Sequence, residues 1–195
     1  MKHLAFTLVE TLVVVALVSI VGLGMQAAIQ YFYRANAYVL QGTAAVNSAR
    51  TGVTTFTSNI REATYGDDGA YPVSSVGTSS MTFYADVDTD GGVERVKTYT
   101  IGTTLYRVVT EAVGNPPSYA GQTPATTTIA TFVANGTSTP LFRYFNTAGT
   151  ELTGTIDVSD VASVTMTLMV DINPFRAPDI FTLTQSATIR NLRSQ

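Results

Sequence analysis

The sequence predicts an α+β protein in which one long N-terminal α-helix, transmembrane in its first half, lies on a mainly antiparallel β-sheet domain. Three observations carry that expectation. Phe6 to Leu23 is an almost unbroken apolar run of 18 residues. A heptad-spaced apolar stripe then continues the helical pattern as far as Ile60. From Met81 onward the chain turns to short Val-, Thr- and Tyr-rich runs punctuated by Gly and Asp, which is the mark of strands and hairpins. The resulting divisions are a leader at 1–5, a membrane-suited helix half at 6–24, an amphipathic helix half at 25–63 and a β-rich domain at 64–195.

The apolar run matches the ~18–20 residues that a helix needs to cross a bilayer. Glu10 interrupts it near its start. A carboxylate in hydrocarbon costs roughly 2.5–3.5 kcal/mol even on lenient insertion scales, so Glu10 either snorkels to the interface or takes a partner. Lys2 and His3 stand in the short leader ahead of the run, and Ala5 is the small residue at the junction. A secretory signal would place its small-residue cleavage site after the apolar run, and here the order is reversed. No Lys or Arg follows until Arg34, so the amino end is expected to stay in the cytoplasm and the remainder to be exported.

Gly22 and Gly24 fall where the run ends, each weakening a helix by roughly 1 kcal/mol relative to Ala, which predicts a soft spot and not a stop. Beyond them Phe32, Val39, Val46, Val53 and Ile60 recur every seven residues, with Ala35, Gly42, Ala49 and Phe56 three further on. The second row is mostly Ala and Gly, too small to knit a coiled coil, so the stripe is expected to face a sheet. Gly66, Gly69 and Pro72 end the helix. Met81 to Ala85, Arg95 to Ile101 and Leu105 to Val109 read as a three-stranded meander. Glu111 to Pro140 reads as a long loop, exposed and functional or mobile, with one strand at Ile129 to Val133. Strands return at Leu141 to Phe145, Ser163 to Asp171 and Ile180 to Arg190. The alternation of Val164, Met166, Leu168 and Val170 gives one buried face in the same sheet.

Composition removes several chemistries. The chain has no Cys and a single His, His3, ahead of the apolar run, so Cys-His mechanisms have no thiol and Ser-His-Asp or His-ligated zinc mechanisms have only His3 to draw on. Carboxylate-pair hydrolysis stays formally open, although no Asp or Glu spacing singles out a pair. A net charge of −3 without a basic patch gives no support to nucleic acid as a main partner. The remaining candidate is Asp86-Val87-Asp88-Thr89-Asp90-Gly91, which reproduces the opening of a calcium loop, so Asp86, Asp88 and Asp90 are metal candidates. The twelfth position is Lys97 where such a loop closes with Glu, and Glu94 stands at the ninth. The same residues would also serve as a plain hairpin turn.

The junction Ala5-Phe6-Thr7-Leu8-Val9-Glu10 resembles the processing site of type IV prepilins and type II secretion pseudopilins. Ala5 stands where most members carry Gly. The resemblance implies a pilin-like fold, cleavage by a prepilin peptidase between Ala5 and Phe6, N-methylation of Phe6, and a role for Glu10 in filament assembly, where it would neutralise the free amine of a neighbouring Phe6. More loosely, NIREA, MTFYADVDTDGGVERVKTYTI, LYRVV, FRYFNTAG and the terminal TIRNLR are similar to J-type minor pseudopilins and W-type minor pilins. Both likenesses imply a non-enzymatic filament subunit, and the second places it at or near the tip. Its partners would be the peptidase, other pilin or pseudopilin subunits and an inner-membrane assembly platform. It would sit as a single pass in the inner membrane and afterwards in an extracytoplasmic filament. A surface fibre subunit for adhesion or DNA uptake is the rival within that class, and a membrane-anchored hydrolase the rival outside it.

Overall fold

The computed structural model describes residues 7–136, 138–173 and 180–190. The chain forms two compact units, Met1–Thr43 and Ala44–Gln195. A single helix, α1 (Leu8–Arg61, 54 residues), begins in the first and ends in the second, with no break at Gly22 or Gly24. It stops two residues before the expected Ala63. The amides of Glu62 and Ala63 then fall back on the Asn59 and Ile60 carbonyls, and the Thr64 amide donates to the Tyr84 carbonyl at 2.9 Å.

The second unit is α+β. The C-terminal part of α1 packs against two antiparallel sheets built from β1 (Val73–Val76), β2 (Ser80–Ala85), β3 (Glu94–Ile101), β4 (Thr104–Thr110), β5 (Ala125–Thr131), β6 (Phe142–Phe145), β7 (Glu151–Leu152), β8 (Ser163–Val170) and β9 (Phe181–Thr188). The first sheet runs β1-β2-β3-β4-β5, a simple meander, and the second runs β7-β6-β8-β9. The expected meander is therefore present as β2, β3 and β4, and the alternation of Val164, Met166, Leu168 and Val170 is buried as expected.

Three expectations need correction. The strand carrying Val164 to Val170 is not in the meander's sheet. At Phe132 the backbone takes φ 60°, a left-handed conformation that a bulky residue rarely adopts, and this kink turns the chain out of the β4 ladder. The Val133 amide still donates to the Thr103 carbonyl, while the Asp171 amide, just past β8, donates to the Phe132 carbonyl at 2.9 Å and the Ala134 amide to the Met169 carbonyl at 2.8 Å. The segment from Glu111 to Pro140 is also not one open loop. Its strand begins earlier, at Ala125, and the connection before it is pinned by Tyr119, 3% exposed, whose hydroxyl donates to the Val93 carbonyl and accepts from the Asp67 amide. That burial pushes the Tyr119 phenol up to about 12.

The third correction concerns the helix stripe. Phe32 and Val39 are 70% and 62% exposed, and the buried set of α1 begins only at Ala45, continuing through Ala49, Gly52, Val53, Phe56, Thr57 and Ile60. Residues before Ala44 belong to the first unit. Within the second unit Phe56 is the joint of the core. Its ring lies 5.8 Å from Phe83 of β2, edge-on, and 5.2 Å from Phe142 of β6, so one helix residue contacts both sheets. The sheets also meet directly, the Leu141 and Phe142 amides donating to the Thr78 carbonyl and the Tyr144 hydroxyl to the Gly77 carbonyl. Burial raises the Tyr144 phenol well above its ordinary value.

Candidate functional site

In the first unit, the side chains at both ends of the apolar run define the candidate site. Ala5 and Phe6 lie outside the described residues. Glu10 occupies the third helical position. Thr7 precedes the helix, accepting the Glu10 amide on its hydroxyl at 3.3 Å and the Thr11 amide on its carbonyl at 3.1 Å. This is the N-cap half of a Thr-x-x-Glu capping box, a signal that TLVE carries in the sequence and that the reading of Glu10 as an assembly residue alone passes over. A carboxylate in the first turn also complements the positive end of the helix dipole. Glu10 is therefore compatible with local helix initiation as well as with pairing to a neighbour.

From Leu8 to Met25 every large apolar side chain of the helix is exposed, and α1 is long and apolar enough to cross a membrane. At the far end Tyr31, Phe32 and Tyr33 are exposed together, followed by Arg34. Leu8 to Tyr31 spans about 35 Å at ~1.5 Å per residue. That rise is enough to cross a ~30 Å hydrocarbon layer.

In the second unit, the acidic turn between β2 and β3 gathers carboxylates. Oxygens of Asp86, Asp88 and Glu94 lie within 4.8 Å of one another; Asp90 is not in this group. Its carboxylate instead accepts the Gly92 amide at 2.7 Å. Asp86 accepts the Thr89 and Gly91 amides, and Asp88 accepts that of Asp90, so the turn satisfies its own backbone. Glu94 differs from the aspartates. It pairs with Ala85 across the β2–β3 ladder, takes the first inward position of β3 and is only 3% exposed. It accepts the Val87 amide at 2.8 Å. Burial, and after it the charges of Asp88, Asp86 and Asp90, hold its carboxyl above the usual range, while the Val87 bond opposes the shift. Three hard oxygens at this spacing suit a calcium ion, whose ligand distances of roughly 2.3–2.6 Å put opposite oxygens about 5 Å apart. The residues able to hold such an ion are Asp86, Asp88 and Glu94.

Compared with known proteins, the chain matches no family model and no curated protein. The architecture itself, a long apolar N-terminal helix whose C-terminal part packs on antiparallel sheet, fits a pilin-like fold.

Proposed function

We propose that this chain is a non-enzymatic structural subunit of a type IV pilus or type II secretion pseudopilus, of the minor class that primes or caps assembly. In this reading a prepilin peptidase cuts between Ala5 and Phe6 and methylates Phe6. The helix waits in the inner membrane as a single pass, and an assembly platform moves the subunit into a filament of like helices. The observation that carries the reading is the exposure of α1 from Leu8 to Val39, set against its burial from Ala45. The large apolar side chains exposed along that stretch have to be covered, first by lipid and later by neighbouring helices. A membrane anchor alone accounts for Leu8 to Met25. It leaves Phe32, Val39 and Leu40 without cover.

The test is processing and assembly. Co-expression with a prepilin peptidase should yield a mature chain lacking MKHLA and bearing one added methyl, read by intact mass. Glu10→Ala should leave membrane insertion intact and lower cross-linking to neighbouring subunits. Recovery of only the full-length chain with an active peptidase would refute the family reading.

A further inference from the structure

A groove of about 500 Å³ opens inside the second unit between α1 and the β3–β4–β5 side of the first sheet. Its helix wall is polar, built from Asn47, Thr51, Thr55 and Asn59 at every fourth residue, beside the apolar row that forms the core. The sheet wall carries Thr98, Arg107 and Thr127, which are in register across three adjacent strands. Phe56, Phe83, Val96 and Ile129 complete the lining with apolar surface.

Two of these side chains are out of place for a merely structural seam. Arg107 alternates with Leu105 and Val109 on β4, and among the described residues no carboxylate lies within 4.0 Å of its guanidinium and nothing accepts its hydrogen bonds. Asn59 Nδ2 is buried with no hydrogen-bond partner, the one such side-chain atom among the described residues. Buried donors in native proteins are nearly always paired, and an orphaned one calls for an explanation. Thr98 adds a hydroxyl on a residue only 1% exposed.

We propose that this groove binds a small organic monocarboxylate with a compact apolar body. A single cation matches a single negative charge, where a phosphate dianion would draw on more than one. Phe56, Phe83, Val96 and Ile129 take the apolar part. The volume is in the lower part of the range for small-molecule sites. All of the lining lies within Ala44–Gln195, so binding does not depend on cleavage, membrane insertion or filament assembly.

The test uses the full chain in lipid nanodiscs, with 4-fluorophenylacetate as probe and fluorine NMR as readout. Saturable binding is expected, with the neutral analogue 4-fluorophenylacetamide and the Arg107→Gln variant each weaker by about tenfold or more, the factor that 1.4 kcal/mol represents. Arg107→Lys, which keeps the charge, recovers part of the affinity. Equal binding of acid and amide, a signal matched by empty nanodiscs, no saturation by about 10 mM, or an affinity unchanged in Arg107→Gln would each overturn the proposal.

Discussion

Truncating Phe56 tests the core, and truncating Phe32 tests its boundary. Phe56 is 4% exposed and its ring meets Phe83 and Phe142, whereas Phe32 is 70% exposed although both residues belong to the same heptad pattern. Burying a Phe removes roughly 150–250 Å² from water, and two aromatic contacts add about 0.5–1.5 kcal/mol each. Against the cavity that remains, Phe56→Ala should cost about 3–5 kcal/mol. With ~2–4 °C per kcal/mol for a unit of this size, the melting temperature should fall by roughly 6–20 °C. Phe32→Ala should stay within about 0.5 kcal/mol. The assay is thermal unfolding of the full chain in nanodiscs, followed by near-ultraviolet circular dichroism, which reports the packed aromatic rings. A loss below about 1 kcal/mol for Phe56→Ala would show that the helix is not the bridge between the sheets, and an equal loss for both variants would show that the stripe is buried throughout.

Gly52→Ala would drive a methyl into Ile129 Cγ2; that overlap should outweigh the ~1 kcal/mol gain in helix propensity and lower stability by about 1–3 kcal/mol, with Ile129→Ala restoring part of it and an unchanged melting curve refuting the close contact. Calcium at 100-fold excess over its dissociation constant should raise stability by about 2.7 kcal/mol, and identical melting in calcium and in chelator would reduce the Asp86–Asp88–Glu94 group to a turn. Glu94 also sets a pH dependence. Because its folded-state affinity for a proton is raised, its contribution to stability is present below the ordinary glutamate range and lost as pH rises through the folded value, so without calcium Glu94→Gln should gain on the wild type as pH increases to 7. A difference between the two melting curves that does not change with pH would contradict this.

The elements of the β unit were legible in the sequence wherever a local rule decides them. Met81 to Ala85, Arg95 to Ile101 and Leu105 to Val109 form the meander because Gly-rich turns and period-two runs act over a few residues. The end of the helix before Gly66 follows from the same kind of local punctuation. The strands missed were the four-residue β1 and the two-residue β7, which are too short to show a period. The division into two sheets was illegible because it turns on Phe132, a bulky residue at φ 60° whose carbonyl accepts the Asp171 amide, and no residue type there announces such a kink. Heptad spacing likewise shows which residues share a helix face but not where along that face the sheets begin. That point depends on contacts distant in sequence, and it falls at Ala45.

The candidate site residues divide along the same line. Of the three aspartates that the D-x-D-x-D-G spacing singles out, Asp86 and Asp88 converge with Glu94 and Asp90 does not, because a motif records spacing along the chain but not which carboxylates a hairpin brings together. Glu94 and Arg107 became visible only through ladder register, Glu94 opposite Ala85 and Arg107 between Thr98 and Thr127. In both cases a charged residue takes a position that strand alternation reserves for an apolar one. Local rules that agree everywhere else and fail at a few buried polar positions point to sites retained at a cost in stability. Asn59 is the helix counterpart, an amide whose donor is left unpaired one residue before Ile60, which is fully buried. If Glu94 and Arg107 were structural, an apolar replacement of either would lower stability. If they serve ligands, the same replacement would stabilise the unit and abolish binding, and that opposition separates a retained site from an accident of packing.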